Sequence, residues 1–207
     1  MTPEAPSAAP PASAPRVGPG AAVTATGRGR HTARWMAGVV LVVVAALVAL
    51  LATRPPATET EVFTPLLGKT APGITATTVS GQRFDLGSYR GRFVVVNFFA
   101  SWCPPCQQEQ PELVTFAYQH RHPGDAALVG VVYDDATSSA RAFDTDAGAT
   151  WPALVDPGGQ IALHYGVRAP PETFLISPSG TVVAHIDGAV TASYLDKQLA
   201  AAGAAGA

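Results

Sequence analysis

Apolar positions along the chain fall into one long block and a series of short runs. The block is WMAGVVLVVVAALVALLAT, Trp35 to Thr53, nineteen residues without a charge, bracketed by Arg34 and Arg54. As a helix it would span about 28 Å, close to the roughly 30 Å hydrocarbon core of a bilayer. A buried core helix of that length would show a polar face, and the apolar part of a cleavable signal peptide usually runs about 7–15 residues. The block therefore predicts a retained transmembrane signal anchor.

The shorter runs lie beyond residue 62. GITATTVSGQRFDL alternates around a Ser80-Gly81 turn and predicts a hairpin. FVVVNFFA, residues 93–100, is β-branched and aromatic without alternation, as in a strand buried on both faces. A helix is expected from Cys103 to His120, kinked at Pro111, where a hydrogen bond is lost. AALVGVVY is the next strand, Thr137 to Ala147 a polar helix, and GGQIALHYGV holds a shorter one. TFLIS and TVVAHI read as strands joined through Pro178-Ser179-Gly180, and Thr191 to Ala201 closes the domain as a helix. The order β-α-β-α-β-β-α predicts an α/β fold with a central mixed sheet and helices on both faces.

Composition divides the 207 residues into parts. Residues 1–34 are rich in Ala, Pro, Gly and Ser and predict a disordered tail. Residues 54–62, which open with RPPATETE, read as a linker, residues 63–201 as one domain, and 202–207 as a frayed end. Four arginines precede the apolar block against one acid, Glu4, whereas the chain from Pro55 onward has eight basic and fourteen acidic residues. Positive charge before the span keeps that end in the cytoplasm, so the domain is expected on the extracytoplasmic side of the cell membrane. No nucleic-acid partner is expected.

The only two cysteines, Cys103 and Cys106, stand in SWCPPCQQEQPEL between the predicted strand and its helix. A Cys2His2 zinc site needs histidines three to five residues apart, and His120 and His122 have one residue between them. Haem attachment needs a histidine directly after the second cysteine, where Gln107 stands. A structural disulfide across so short a loop removes little chain entropy. Thiol–disulfide exchange remains. Cys103 at a helix start would have its thiolate favoured by free N–H groups and the helix dipole, and Cys106, one turn on, could resolve a mixed disulfide. Trp102 would form an apolar rim around an exposed sulfur, or simply cover the core. No metal or other cofactor is expected.

FASWCPPC, Pro111 and GVRAPPETFLIS together resemble the membrane-anchored thioredoxin-like reductases of cytochrome c maturation, of the CcmG/DsbE, ResA and TlpA type. VGVVYDD is similar to the CcmG branch. The resemblance covers roughly residues 63–200 and implies a thioredoxin-like fold, with Cys103 and Cys106 as the redox-active disulfide. It implies that Pro171 is a cis-proline beside the cysteines, exposing backbone for a substrate strand; Pro170 before it departs from the pattern and removes a second N–H. Glu109 and Glu172 match acids that this family places near its cysteines, where either could raise a thiol pKa or pass a proton to Cys106. Each is equally consistent with an ordinary solvated charge. Thioredoxin has a buried aspartate where this chain has Asn97, so proton handling falls to Glu109 or Glu172. Tyr133, Asp134 and Asp135 would make an acidic patch.

Pro104 and Pro105 delete two N–H donors near the first sulfur and supply no side-chain proton, which tilts the pair towards a reductant. The resemblance implies disulfide-bearing protein substrates, apocytochrome c foremost, and a transmembrane thiol electron donor, since the outer compartment is oxidising. A disulfide-forming oxidase or isomerase, and an apocytochrome-binding assembly factor without turnover, are the alternatives.

Overall fold

The computed structural model describes residues 29–52, 60–61, 64–122 and 124–205. The expected tail up to residue 28, most of the linker and the last two residues lie outside the described residues. The described chain falls into two units, divided at Arg54. The first contains helix α1, Gly29–Ala52. Its side chains are described over 34–49, all exposed, with Val39, Val43 and Leu47 among them. Among the described residues no helix is long and apolar enough to cross a membrane. The anchor expected over Trp35–Thr53 thus rests on the sequence.

The second unit holds a six-stranded mixed sheet. Its strands are β1 (Thr60–Glu61), β4 (Phe93–Phe99), β5 (Ala126–Val132), β6 (Ala153–Leu154), β7 (Glu172–Ile176) and β8 (Val182–Asp187), in the spatial order β1-β8-β7-β4-β5-β6. β4, β5 and β6 run parallel; β7, β8 and β1 are antiparallel to their neighbours. Strands β2 (Thr75–Thr77) and β3 (Arg83–Asp85) form a separate antiparallel pair, followed by a 3-10 turn at Leu86–Tyr89. The helices are α2 (Pro104–His120), α3 (Thr137–Ala147), α4 (Gln160–Tyr165) and α5 (Ala192–Ala205). The expected strand order lacked β1 and β6, two residues each, which carry no hydrophobic period to read. α5 runs four residues beyond its expected end.

β4 explains why the unit has two apolar layers. Successive side chains of a strand point to opposite faces. Val94, Val96 and Phe98 pack with Ile74, Phe84, Tyr165 and Phe174 on one face. Val95, on the other, joins Leu113 and Phe116 of α2 and Leu195 and Leu199 of α5. Each such side chain removed from water contributes about 1.5–3 kcal/mol. A third cluster caps the carboxyl ends of β4 and β5: Phe99, Ala100, Cys103, Cys106, Val132, Ala140 and Ala153. The parallel core of the sheet therefore delivers the cysteines to its own end, as helix α2 starts there.

α2 is continuous through Pro111 and is fastened at its far end by His120. This imidazole lies 2.9 Å from Asp125 Oδ1 and 2.8 Å from Asp196 Oδ1 of α5. It therefore belongs to an ion-pair bridge, and no group of three or more metal-binding side chains occurs among the described residues. Burial lowers the His120 pKa, but Asp196 and Asp125 outweigh it and hold it above 6.5. The folded chain then binds a proton that the unfolded chain releases at lower pH. The bridge's contribution is complete below about pH 6.5 and is lost as pH rises through the raised folded value. His120→Gln should accordingly cost most stability near pH 6 and progressively less towards alkaline pH in urea titrations. A cost independent of pH would contradict the bridge.

Candidate active site

Cys103 and Cys106 form a disulfide with their Cα atoms 5.3 Å apart. Cys103 is extended (φ −87°, ψ 113°) and occupies the N-cap of α2, with Pro104 and Pro105 as the first two helical residues. Proline suits a helix start because its fixed φ is preset and its missing N–H would be unpaired there. The consequence falls on the sulfur. The first amide that α2 can offer is that of Cys106, which donates to Cys103 Sγ at 3.2 Å; the next, of Gln107, donates to the Cys103 carbonyl at 3.1 Å. On its other side Cys103 Sγ lies 3.5 Å from the Pro170 carbonyl oxygen. That oxygen can accept from a thiol but repels a thiolate, so one donor and one acceptor compete at this atom.

The expectation of a surface-exposed sulfur is corrected: Cys103 is 2% and Cys106 1% exposed, packed among Phe99, Ala100 and Val132. Trp102 is itself 54% exposed, so it is not core cover. Its Nε1 donates to the Asp134 carbonyl at 3.0 Å, which holds the indole at the rim. Asp134 reaches this position with φ +43°. The neighbouring carboxylate of Asp135 accepts from the Ser101 amide at 2.7 Å and from the Ala136 amide at 2.7 Å. Tyr133 Oη donates to the Arg168 carbonyl at 2.9 Å. Within the expected acidic patch, Asp135 and Tyr133 thus act as fasteners between the end of β5, the cysteine turn and the loop before β7, while the Asp134 side chain is exposed. Nothing in the local sequence distinguishes such a carboxylate from a free one.

Pro170–Pro171 is a cis peptide, at the place expected for Pro171. The backbone around it differs from the expected open edge. Pro171 is buried and its carbonyl accepts from the Gly188 amide at 3.0 Å. The Arg168 and Ala169 amides donate to Glu172 Oε1 at 2.7 and 3.3 Å. The half-buried Pro170 carbonyl is left facing the sulfur, while the bonds around it turn inward.

Both glutamates are buried, at 2% for Glu109 and 1% for Glu172, which excludes the solvated-charge reading of either. Glu109, one turn after Cys106 on α2, accepts from Asn97 Nδ2 at 2.9 Å and from the Val190 amide at 2.9 Å. Asn97 also donates to Thr173 Oγ1 at 3.0 Å, so this polar group ties β4, β7, α2 and the loop before α5 together. Burial pushes the Glu109 carboxyl up to about 7, against the weaker pull of Val190 and Asn97. A carboxyl at that value exchanges protons near neutrality, as a group serving Cys106 must. Glu172 has the opposite balance. Burial would raise its pKa, but His185 at 2.8 Å and the Arg168 and Ala169 amides hold it below the usual range. The structure therefore separates two residues that the sequence left equivalent: Glu109 can hold a proton, and Glu172 is an anchored carboxylate. His185 was missed; a histidine within an apolar strand run gives no sign of its cross-strand partner.

Comparison with known proteins places this chain among sequences and structures similar to it. The sequence model of the AhpC/TSA family matches residues 67–185. The chain is 29% identical over 133 residues to the thiol-disulfide oxidoreductase ResA of Bacillus thuringiensis, covering 64% of this chain and 76% of that protein. It is 30% identical over 139 residues to the thiol:disulfide interchange protein HelX of Rhodobacter capsulatus, covering 66% and 76%. The crystal structure of a secreted Mycobacterium tuberculosis disulfide oxidoreductase homologous to E. coli DsbE superimposes with a TM-score of 0.57 at 28% identity, over 62% of this chain and 95% of that one.

The Glu109 pKa carries a prediction for stability. Between about pH 4.5 and 7 the folded chain keeps a proton here that the unfolded chain has released. Stability must therefore fall as pH rises through that window. Glu109→Gln removes this slope, so the oxidised variant should gain stability relative to the unsubstituted chain between pH 4.5 and 8, whatever its offset. Parallel urea-denaturation curves across that range would show that Glu109 does not titrate there.

Proposed function

Because the chain belongs to the AhpC/TSA family and is a thiol-disulfide oxidoreductase of the ResA, HelX and DsbE type, we propose that it is a membrane-tethered reductant of exported proteins. The observation that carries the direction is the environment of Cys103 Sγ. Two prolines leave it one helix-start N–H, and the Pro170 carbonyl stands opposite. A weakly stabilised thiolate makes the disulfide the easier form to reach, so the pair gives electrons away.

The reaction has two steps. Cys103 thiolate attacks one sulfur of a substrate disulfide, forming a mixed disulfide and releasing the other substrate sulfur as a thiolate. Cys106 then loses its proton and attacks Cys103 Sγ, closing the Cys103–Cys106 disulfide and releasing the second substrate thiolate. Glu109 is the group suited to take the Cys106 proton, and Trp102 gives the substrate an apolar rim. Two electrons from a transmembrane thiol carrier restore the dithiol. Apocytochrome c, whose CxxCH thiols must be reduced before haem attachment, is the proposed substrate. The apolar block Trp35–Thr53 with arginines before it supports an extracytoplasmic domain on a retained anchor.

Replacing Cys106 with Ser should let mixed disulfides accumulate on Cys103, apocytochrome c among them, and Cys103→Ser should abolish them. Deletion should deplete covalently bound cytochrome c, and added small thiol should partly restore it. The rescue separates reduction from docking, since a small thiol gives electrons but cannot present an apoprotein. Unchanged cytochrome c after deletion would overturn the substrate. Protease added to wall-stripped cells should digest the cysteine domain; its protection would reverse the topology.

A further inference from the structure

His185 lies on β8, remote in sequence from both cysteines and 6% exposed. It stands opposite Phe174 of β7 and stacks on that ring, with centroids 4.2 Å apart and planes at 11°. This stack aims Nε2 at Glu172 Oε2, 2.8 Å away, and leaves Nδ1 buried without a hydrogen-bond partner. A carboxylate oxygen can only accept, so Nε2 carries the proton. The other oxygen of Glu172 accepts the Arg168 and Ala169 amides, at 2.7 and 3.3 Å. One residue further on, the Pro170 carbonyl lies 3.5 Å from Cys103 Sγ. An unbroken series of contacts thus runs from the imidazole through the carboxylate and two amides to the reacting sulfur. The other charges on this edge, Arg168 and Asp187, pair with each other at 3.6 Å with exposed side chains.

Resting on the exchange reading above, we propose that His185 is a positioning residue for Cys103: by holding Glu172 it fixes the 168–170 backbone and keeps the Pro170 carbonyl against Sγ. A buried carboxylate stripped of one partner must move, find water or take up a proton. Each response weakens its grip on the Arg168 and Ala169 amides. Once the loop loosens, the negative end of the Pro170 carbonyl withdraws from the sulfur and the thiolate becomes easier to form. His185 therefore acts on thiol reactivity without touching either cysteine.

The test uses the reduced full chain with two substitutions of opposite geometry. The Gln amide reaches the place of Nε2, and the Asn amide the place of Nδ1. H185N should lower the pH midpoint of Cys103 alkylation by iodoacetamide, followed by mass mapping, by about one unit. It should also cut hydrogen-exchange protection at the Arg168 and Ala169 amides by about tenfold while the β7–β8 ladder keeps its own. H185Q should restore both. If H185N does not fold, H185F, which keeps a ring on Phe174 but has no nitrogen, is read in its place. A wild-type midpoint and wild-type loop protection in the variant, or equal shifts in the Gln and Asn variants, would overturn the proposal. Alkylation needs no turnover, so an unsubstituted chain that fails to reduce disulfides would sink the exchange reading without producing either result.

Discussion

A sulfur at the start of a helix is held as an anion only as far as backbone N–H groups reach it. Pro104 and Pro105 remove the first two, and the Cys106 amide, at 3.2 Å, is the donor that remains at Cys103 Sγ. The surrounding architecture depends on that placement. Cys103 can be the N-cap only because β4 ends at Phe99 and the chain turns within Ala100–Trp102, closed by the Cys103 amide on the Ala100 carbonyl at 3.2 Å. Asp135 clamps the same turn from β5, and Gln107 reaches back to the Ser101 carbonyl at 2.8 Å. The strand, the turn and the helix fix one sulfur between one donor and one acceptor.

Around that atom the two buried carboxyls divide the work by environment. Glu109 is met by a side-chain amide and one backbone amide, too little to offset its burial, and its pKa rises to about 7. Glu172 has two amides and an imidazole, and they outweigh burial. The same residue type thus has a raised pKa on the helix and a lowered one under the loop. Asn97 contributes no charge of its own. Its amide bridges Glu109 and Thr173, and its donation to the carboxyl opposes the rise that burial causes.

Much of this was legible in the residues. The unbroken run 93–100 shows a strand buried on both faces, because neither set of alternate positions is polar except at Asn97. WCPPC between that strand and a helix, together with PPETFLI, points to exchange chemistry and to the place of Pro171. What was hidden depends on contacts remote in sequence. β1 and β6 are two residues long and are defined by their neighbours. The carbonyl beside Cys103 Sγ comes from Pro170, sixty-seven residues away. The tether role of Asp135 needs Ser101, and the anchored state of Glu172 needs His185 across a hairpin. Local pattern reports period and turn chemistry; it says nothing about which side chain waits on the far strand.

The claim at the centre is that Cys103 and Cys106 form an electron-donating pair because the thiolate at Cys103 is poorly stabilised. Equilibration of the full chain with glutathione buffers of graded ratio, read as the oxidised fraction of Cys103–Cys106, measures this directly. The account predicts a potential well below the roughly −120 mV of strong thiol oxidants, in or beyond the range of about −180 to −270 mV spanned by isomerases and thioredoxin. A value near −120 mV would contradict it and make the pair an oxidant.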